Sequence, residues 1–140
     1  MSHTKVTLLL GSNVGNSKHN IEVALNKIAE HAGDLVAKTP MMFTEPVEFV
    51  SPNNFCNIAV IIKTQFSPVN LLNLLKSIER EMGRKEDTRS GGEYQDRIID
   101  IDIVLYGGLQ FCCEELVIPH QKHLHQRAFS QELLNVLKKH

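Results

Sequence analysis

The stretch Asp96-Arg97-Ile98-Ile99-Asp100-Ile101-Asp102-Ile103-Val104-Leu105-Tyr106 sets two carboxylates inside what otherwise reads as a buried strand. Side chains alternate between the faces of a strand, so Ile99, Ile101, Ile103 and Leu105 are predicted on one side and Ile98, Asp100, Asp102 and Val104 on the other. The two aspartates then point the same way with Cα atoms roughly 6.5–7 Å apart, close enough to share cations or a polyphosphate. Ionised groups inside an apolar run cost several kcal/mol unless they are solvated, paired or metal-bound. The face that carries them must therefore be open, and whatever packs on this strand has to use its isoleucine side.

The rest of the chain supplies such packing. Lys5 to Leu10 reads as a strand, closed by Gly11-Ser12-Asn13-Val14-Gly15-Asn16. Asn16 or Ser17 can cap a helix in which Ile21, Ala24, Leu25, Ile28 and Ala32 recur at helical spacing before Gly33. Leu35 to Thr44 is a less regular strand broken at Pro40, and the Pro-containing segment from Glu45 to Asn53 is predicted as a loop that could close over a ligand. Phe55 to Thr64 is a near-continuous apolar strand interrupted by Asn57, which shares a face with Phe55, Ala59 and Ile61. Ser67-Pro68 starts a second helix carrying Leu71, Leu72, Leu74, Leu75, Ile78 and Met82 up to Gly83. The charged, Gly-containing run from Arg84 to Glu93 reads as a mobile surface loop that brings Arg84, Lys85 and Arg89 beside the aspartates. After the Asp strand come a Gly107-Gly108 turn, a short strand at Leu116 to Ile118 stopped by Pro119, and a terminal helix within Gln126 to His140. Strand, helix, strand, strand, helix, strand is the split βαβ, ferredoxin-like α+β pattern, an antiparallel sheet with both helices on one face and substrates on the open one.

A length of 140 residues suits one domain spanning residues 1–140. Fifteen basic against sixteen acidic residues leave a net charge of −1, which argues against nonspecific attraction to nucleic acid or to an anionic membrane. The uncharged apolar runs fall short of the ~20 residues that span a bilayer, and Met1-Ser2-His3-Thr4-Lys5 starts no signal-peptide apolar region. Cys56, Cys112 and Cys113 are odd in number and two are adjacent, which fits neither a disulfide framework nor a zinc knuckle. They read as reduced thiols, and a cytoplasmic monomer is expected.

Hard carboxylate oxygens suit Mg²⁺, which binds through one or two carboxylates together with substrate phosphates and water. Arg97 and the loop's basic residues supply charge for those phosphates. Gly11-Ser12-Asn13-Val14-Gly15 has neither the Gly-Lys-Ser/Thr ending of a phosphate loop nor a Gly-x-Gly-x-x-Gly spacing, so it reads as a tight turn. His120, His123 and His125 lack the partners that would complete a zinc site, which leaves the proline-fixed His120 as a donor to phosphate or nucleotide. Phe55 and Phe129 read more often as core residues than as stacking groups. Asn57 beside Phe55 narrows that margin, since an amide can read a heterocycle's edge while a ring covers its face. A catalysis-free nucleotide- or RNA-binding module is the other reading an open sheet face allows.

Taken together, Gly11-Ser12-Asn13, Phe55-x-Asn57, Glu79 with Gly83-Arg84, Asp96-Arg97-Ile98-Ile99-Asp100-Ile101-Asp102-Ile103, Pro119-His120 and Arg127-x-Phe129 resemble the 6-hydroxymethyl-7,8-dihydropterin pyrophosphokinase family, in order and approximate spacing. The resemblance implies pyrophosphoryl transfer from ATP to the pterin hydroxymethyl oxygen, leaving AMP. It implies two Mg²⁺ ions on Asp100 and Asp102, with Asp102 also assisting deprotonation of the attacking hydroxyl. Arg84 and Arg97 would stabilise charge on the phosphates, Arg127 and His120 would contact ATP, and Glu79 and Ile103 would line the nucleotide site. Phe55 and Phe129 would sandwich the pterin, with Asn57, Val47 and the backbone near Thr44 completing its pocket. Gln95-Asp96 stands where many relatives have Gly-Pro before the arginine, so contacts of the loop before Arg97 are not carried over.

Overall fold

The structure is a computed structural model that describes residues 3–44, 55–83, 98–120 and 128–137. For Thr44, Phe55 and Phe129 the description is of the backbone. Val47, Arg84, Arg97 and Arg127 lie outside the described residues, as does the Arg89 region.

Strand β1 (Thr4–Ser12) runs through the middle of a mixed architecture that continues with α1 (Ser17–His31), β2 (Asp34–Lys38), β3 (Met42–Thr44), β4 (Phe55–Thr64), α2 (Pro68–Glu81), β5 (Asp100–Tyr106), β6 (Phe111–Cys112), β7 (Val117–Ile118) and α3 (Ala128–Leu137). The main sheet is ordered β2-β4-β1-β5, with β3 also on β4, and every pairing is antiparallel. This is the ferredoxin-like order. Helix α1 is capped by Asn16, whose side chain accepts from the His19 N–H. Helix α2 is capped by Ser67, with Pro68 opening its first turn. Both bury their apolar stripes, Ile21, Ala24, Leu25 and Ile28 from one and Leu71, Leu72, Leu75 and Ile78 from the other, against Val6, Leu8, Leu10, Ile58, Val60, Ile62, Ile99, Ile101 and Ile103.

The irregular second strand resolves into β2 and β3, parted at Thr39-Pro40-Met41. Proline has no N–H to give the ladder. Beside it the Thr39 N–H bonds to the Ala59 carbonyl at 3.0 Å, and the Thr39 hydroxyl accepts from the Ala59 N–H at 3.1 Å, in place of a main-chain acceptor.

Gly33 closes α1 for a reason other than a left-handed backbone. A Cβ there would stand 2.2 Å from the Lys63 carbonyl oxygen, so the chain leaving α1 lies directly on β4. The Thr64 hydroxyl fixes this approach by donating to the Ala32 carbonyl at 2.6 Å.

Two expectations about sheet faces are corrected. Thr7 pairs with Leu105 but Leu8 pairs with Ile103, so Val104 is an extra residue and β5 carries a bulge. The alternation breaks there. Val104 and Leu105 both join the face opposite α1 and α2, so Leu105 does not share the side of Ile99, Ile101 and Ile103. That second face is also open only in part. Helix α3 sets Leu133, Leu134 and Leu137 on Leu9, Ala59 and Val104, forming a second apolar cluster.

Candidate active site

Cross-strand register places the chemical groups. Met42 pairs with Asn57, Asn57 with Gly11 and Gly11 with Asp100, so these four residues form one row across the sheet and share one face. The neighbouring row on that face holds Ala59, Leu9 and Asp102. Asp100 and Asp102 therefore do lie on the face away from α1 and α2, half-exposed, as the alternation predicts. Gly11 adds no side chain between Asn57 and Asp100, which are two strand spacings or roughly 10 Å apart. The row is a floor with a carboxylate at one end and a buried amide at the other. Position 55, paired with Thr44 on β3, falls on the same face one step beyond Asn57. Between them Cys56 turns to the helix side, where burial pushes its thiol up more than Lys18 pulls it down. It stays a neutral thiol and takes no part in chemistry on the other face.

Gln131, Leu134, Asn135 and Leu137 of α3 share a cavity with Thr7, Ile61 and Leu105, and the helix also touches β3 and β4. The register brings Phe55, Asn57 and Thr44 to one end of the partly covered face.

The outer edge of β5 gathers the remaining residues. Glu79 is only 4% exposed, and its Oε2 accepts from the Ile101 N–H at 2.7 Å. The His120 N–H donates to the Val104 carbonyl at 3.0 Å, directly after the cis Ile118–Pro119 bond. Ile103 lies between these two attachments and is buried on the helix side. Glu79, Ile103 and His120 are thus neighbours along one strand edge, on the far side of the aspartates from Asn57.

Asn20 is a contributor that sequence reasoning missed. From α1 its side-chain amide donates to the Ser12 hydroxyl at 3.2 Å and to the Val14 carbonyl at 2.8 Å, tying down the turn that follows Gly11. Its only signal in the sequence is a polar residue next to Ile21 on the inward side of α1.

Among the described residues no group of three or more His, Cys, Asp or Glu side chains comes together to hold a metal ion. Two carboxylates on one half-exposed face suit an ion that draws its other ligands from phosphate and water, the habit of Mg²⁺.

Comparison with known proteins shows the family. The family described as 7,8-dihydro-6-hydroxymethylpterin-pyrophosphokinase matches residues 7–139. The chain is 37% identical over 125 residues to the 2-amino-4-hydroxy-6-hydroxymethyldihydropteridine pyrophosphokinase of Porphyromonas gingivalis, covering 89% of this chain and 84% of that protein. A match of 37% identity to a folate synthesis bifunctional protein of Arabidopsis thaliana covers 84% of this chain, but the chain spans only about a quarter (24%) of the plant protein. A solved Plasmodium falciparum HPPK-DHPS with pterin and p-hydroxybenzoate superimposes with a TM-score of 0.67 over 94% of this chain and 39% of that one, at 16% identity, which bears on the fold alone. With the family matched along nearly the whole length and a bacterial relative covered over most of its own, the chain belongs to the 7,8-dihydro-6-hydroxymethylpterin-pyrophosphokinase family.

Proposed function

We propose that this protein transfers the pyrophosphoryl group of ATP to the hydroxymethyl oxygen of 6-hydroxymethyl-7,8-dihydropterin in folate biosynthesis, releasing AMP. The observation that carries the reading is the Asn57–Gly11–Asp100 row, with Asp102 beside it. It offers a heterocycle reader at one end, two carboxylates at the other and no side chain between them. The family and its bacterial pyrophosphokinase relatives support the same chemistry.

Phe55 and Phe129 would hold the pterin ring between them while the Asn57 amide reads its edge, with Val47 and the Thr44 backbone closing the pocket. ATP would lie along the outer edge of β5, over Glu79, Ile103 and His120, with its phosphates reaching toward the aspartates. Asp100 and Asp102 would hold two Mg²⁺ ions, which when bound neutralise phosphate oxygens and polarise the β-phosphorus. In the displacement the pterin oxygen bonds to the β-phosphorus, and the bond from that phosphorus to the α-phosphate's bridging oxygen breaks. The electron pair leaves with AMP, and Asp102 assists removal of the hydroxyl proton. Arg84 and Arg97 would meet charge on the moving phosphates, and Arg127 and His120 would hold the ATP phosphates. The enzyme would act as a single-domain monomer in the cytoplasm, where free cysteines such as Cys112 stay reduced.

The test is AMP formation from ATP and the pterin. Asp100→Ala and Asp102→Ala should each abolish it while leaving the melting temperature near that of the parent. Parent-like turnover in either variant would reject the reading.

A further inference from the structure

We propose that Glu79 is a positioning residue for the carboxylate pair, holding the edge of β5 through the Ile101 N–H so that Asp100 and Asp102 are presented together. The inference rests on the reading of those aspartates as Mg²⁺ ligands and gives Glu79 a positioning task in addition to lining the nucleotide site.

Strand β5 is outermost in the sheet, paired to β1 on one side only. Alternate backbone groups of an edge strand point away from the sheet and need other partners. The Ile101 N–H is such a group, and it lies between the two aspartates in sequence. Its partner is a carboxylate from α2, at 2.7 Å. Glu79 follows Leu72 and Leu75 on the buried stripe of α2, where an apolar residue would ordinarily stand. A carboxyl group kept at such a place is costly unless well bonded, and its Oε2 accepts from the Ile101 N–H.

The geometry explains why this amide matters. The peptide plane between Asp100 and Ile101 sets the backbone angles on either side of it, and so the direction of both aspartate side chains. On its inner side the strand pairs with Gly11, which adds no side-chain packing to steady Asp100. The outer bond restrains the strand edge between the two aspartates. The bond from the His120 N–H to the Val104 carbonyl restrains it beyond the pair.

The experiment compares Glu79→Leu, which fills the site but cannot accept, with Glu79→Gln, which keeps an acceptor oxygen. Mn²⁺ affinity is measured by electron paramagnetic resonance in the presence of α,β-methylene ATP. Nucleotide affinity is measured separately in excess EDTA, and exchange of the Ile101 amide proton is followed by NMR. Expected are Mn²⁺ affinity about 10-fold or more weaker in Glu79→Leu, a loss well beyond any change in metal-free nucleotide affinity, faster exchange at Ile101, and recovery of both Mn²⁺ affinity and Ile101 protection in Glu79→Gln. Equal metal loss in both variants would point to charge alone and overturn the proposal. So would a fall in metal-free nucleotide affinity as large as the fall in Mn²⁺ affinity, which would place the whole effect in the nucleotide contact. If Glu79→Leu fails to fold, Glu79→Gln decides: retained Mn²⁺ affinity with a protected Ile101 amide supports the proposal, and loss of either overturns it. A parent protein that binds no Mn²⁺ would refute the metal reading itself, and with it the proposal.

Discussion

Leu133→Ala separates the two apolar clusters energetically. Leu133 is 2% exposed and belongs to the set that fastens α3 to the second face of the sheet, whereas the fully buried Leu75 belongs to the core beneath α1 and α2. Truncating either to alanine removes three buried carbons, the isopropyl end of the side chain, a loss of about 3 kcal/mol. The consequences should differ in reach. Helix α3 is held by three leucines of its own, Leu133, Leu134 and Leu137, so removing one should release the helix locally while the rest of the sheet stays folded. A 3 kcal/mol cost lowers the ratio of docked to undocked α3 by on the order of 100-fold. Since position 129 rides on the first turn of α3, apparent pterin affinity should fall with the docked fraction, by at most about that factor. Leu75→Ala should instead lower the stability of the whole molecule. Native-state hydrogen exchange distinguishes the two. Leu133→Ala should weaken protection in α3 well beyond any change in β1 and β4, and Leu75→Ala should weaken all three alike. If Leu133→Ala lowers protection in β1 and β4 as much as in α3, α3 is part of one cooperative core and this reasoning is wrong.

Two further outcomes follow from local geometry. Gly33→Ala should cost about 3 kcal/mol in urea unfolding, because the added Cβ meets the Lys63 main chain rather than a side chain that can swing away; Gly108→Ala, with nothing within 4 Å of its Cβ position, should be nearly neutral. Lys27 on α1 hydrogen-bonds to Glu81 on α2, and that bond and charge hold the Glu81 carboxyl below its ordinary 4.5. A depressed carboxyl contributes stability above its unfolded pKa and loses it as pH falls through the folded value. The melting temperature of Lys27→Met should therefore trail the parent's at neutral pH and converge on it in acid, with the gap shrinking in salt because Glu81 is exposed. A gap that is constant with pH would show that the ion pair is not its source.

Much of the fold was legible because its signals are local. Asn16 and Ser67 announce helix starts through cap chemistry, Pro40 announces the break between β2 and β3, and the Asp-x-Asp spacing fixes a shared face for two side chains whatever the strand pairs with. What was not legible depends on partners far along the chain. The bulge at Val104 exists only in the pairing of β5 with β1, so strict alternation misplaced Leu105. Glu79 looks like one more helical glutamate until α2 is laid beside the edge of β5. Gly33 reads as a helix terminator, whereas its steric reason lies on β4. The cover provided by α3 did leave a trace. Leu8-Leu9-Leu10 and Ile58-Ala59-Val60 are buried without alternation, as strands are when both faces are covered.

The bulge also explains how one strand face can be wet at one end and dry at the other. Without it, β5 would offer α3 a single apolar side chain past Asp102, namely Val104, since Leu105 would turn to the opposite core. The extra residue brings Val104 and Leu105 to the same face, and both contact the second cluster. Helix α3 thus gains a broader seat just where the aspartates stop, and its Gln131, Leu134, Asn135 and Leu137 share a cavity with Leu105, Thr7 and Ile61. Seated there, a helix of ten residues reaches back about 15 Å at 1.5 Å per residue. That is enough to span two steps of two residues along a strand beneath it, at about 6.6 Å each. Counted on β4, those steps lead from Ile61 through Ala59 to Asn57. The irregularity that defeats simple alternation in β5 is therefore what gives the terminal helix its apolar seat beyond the half-exposed carboxylates.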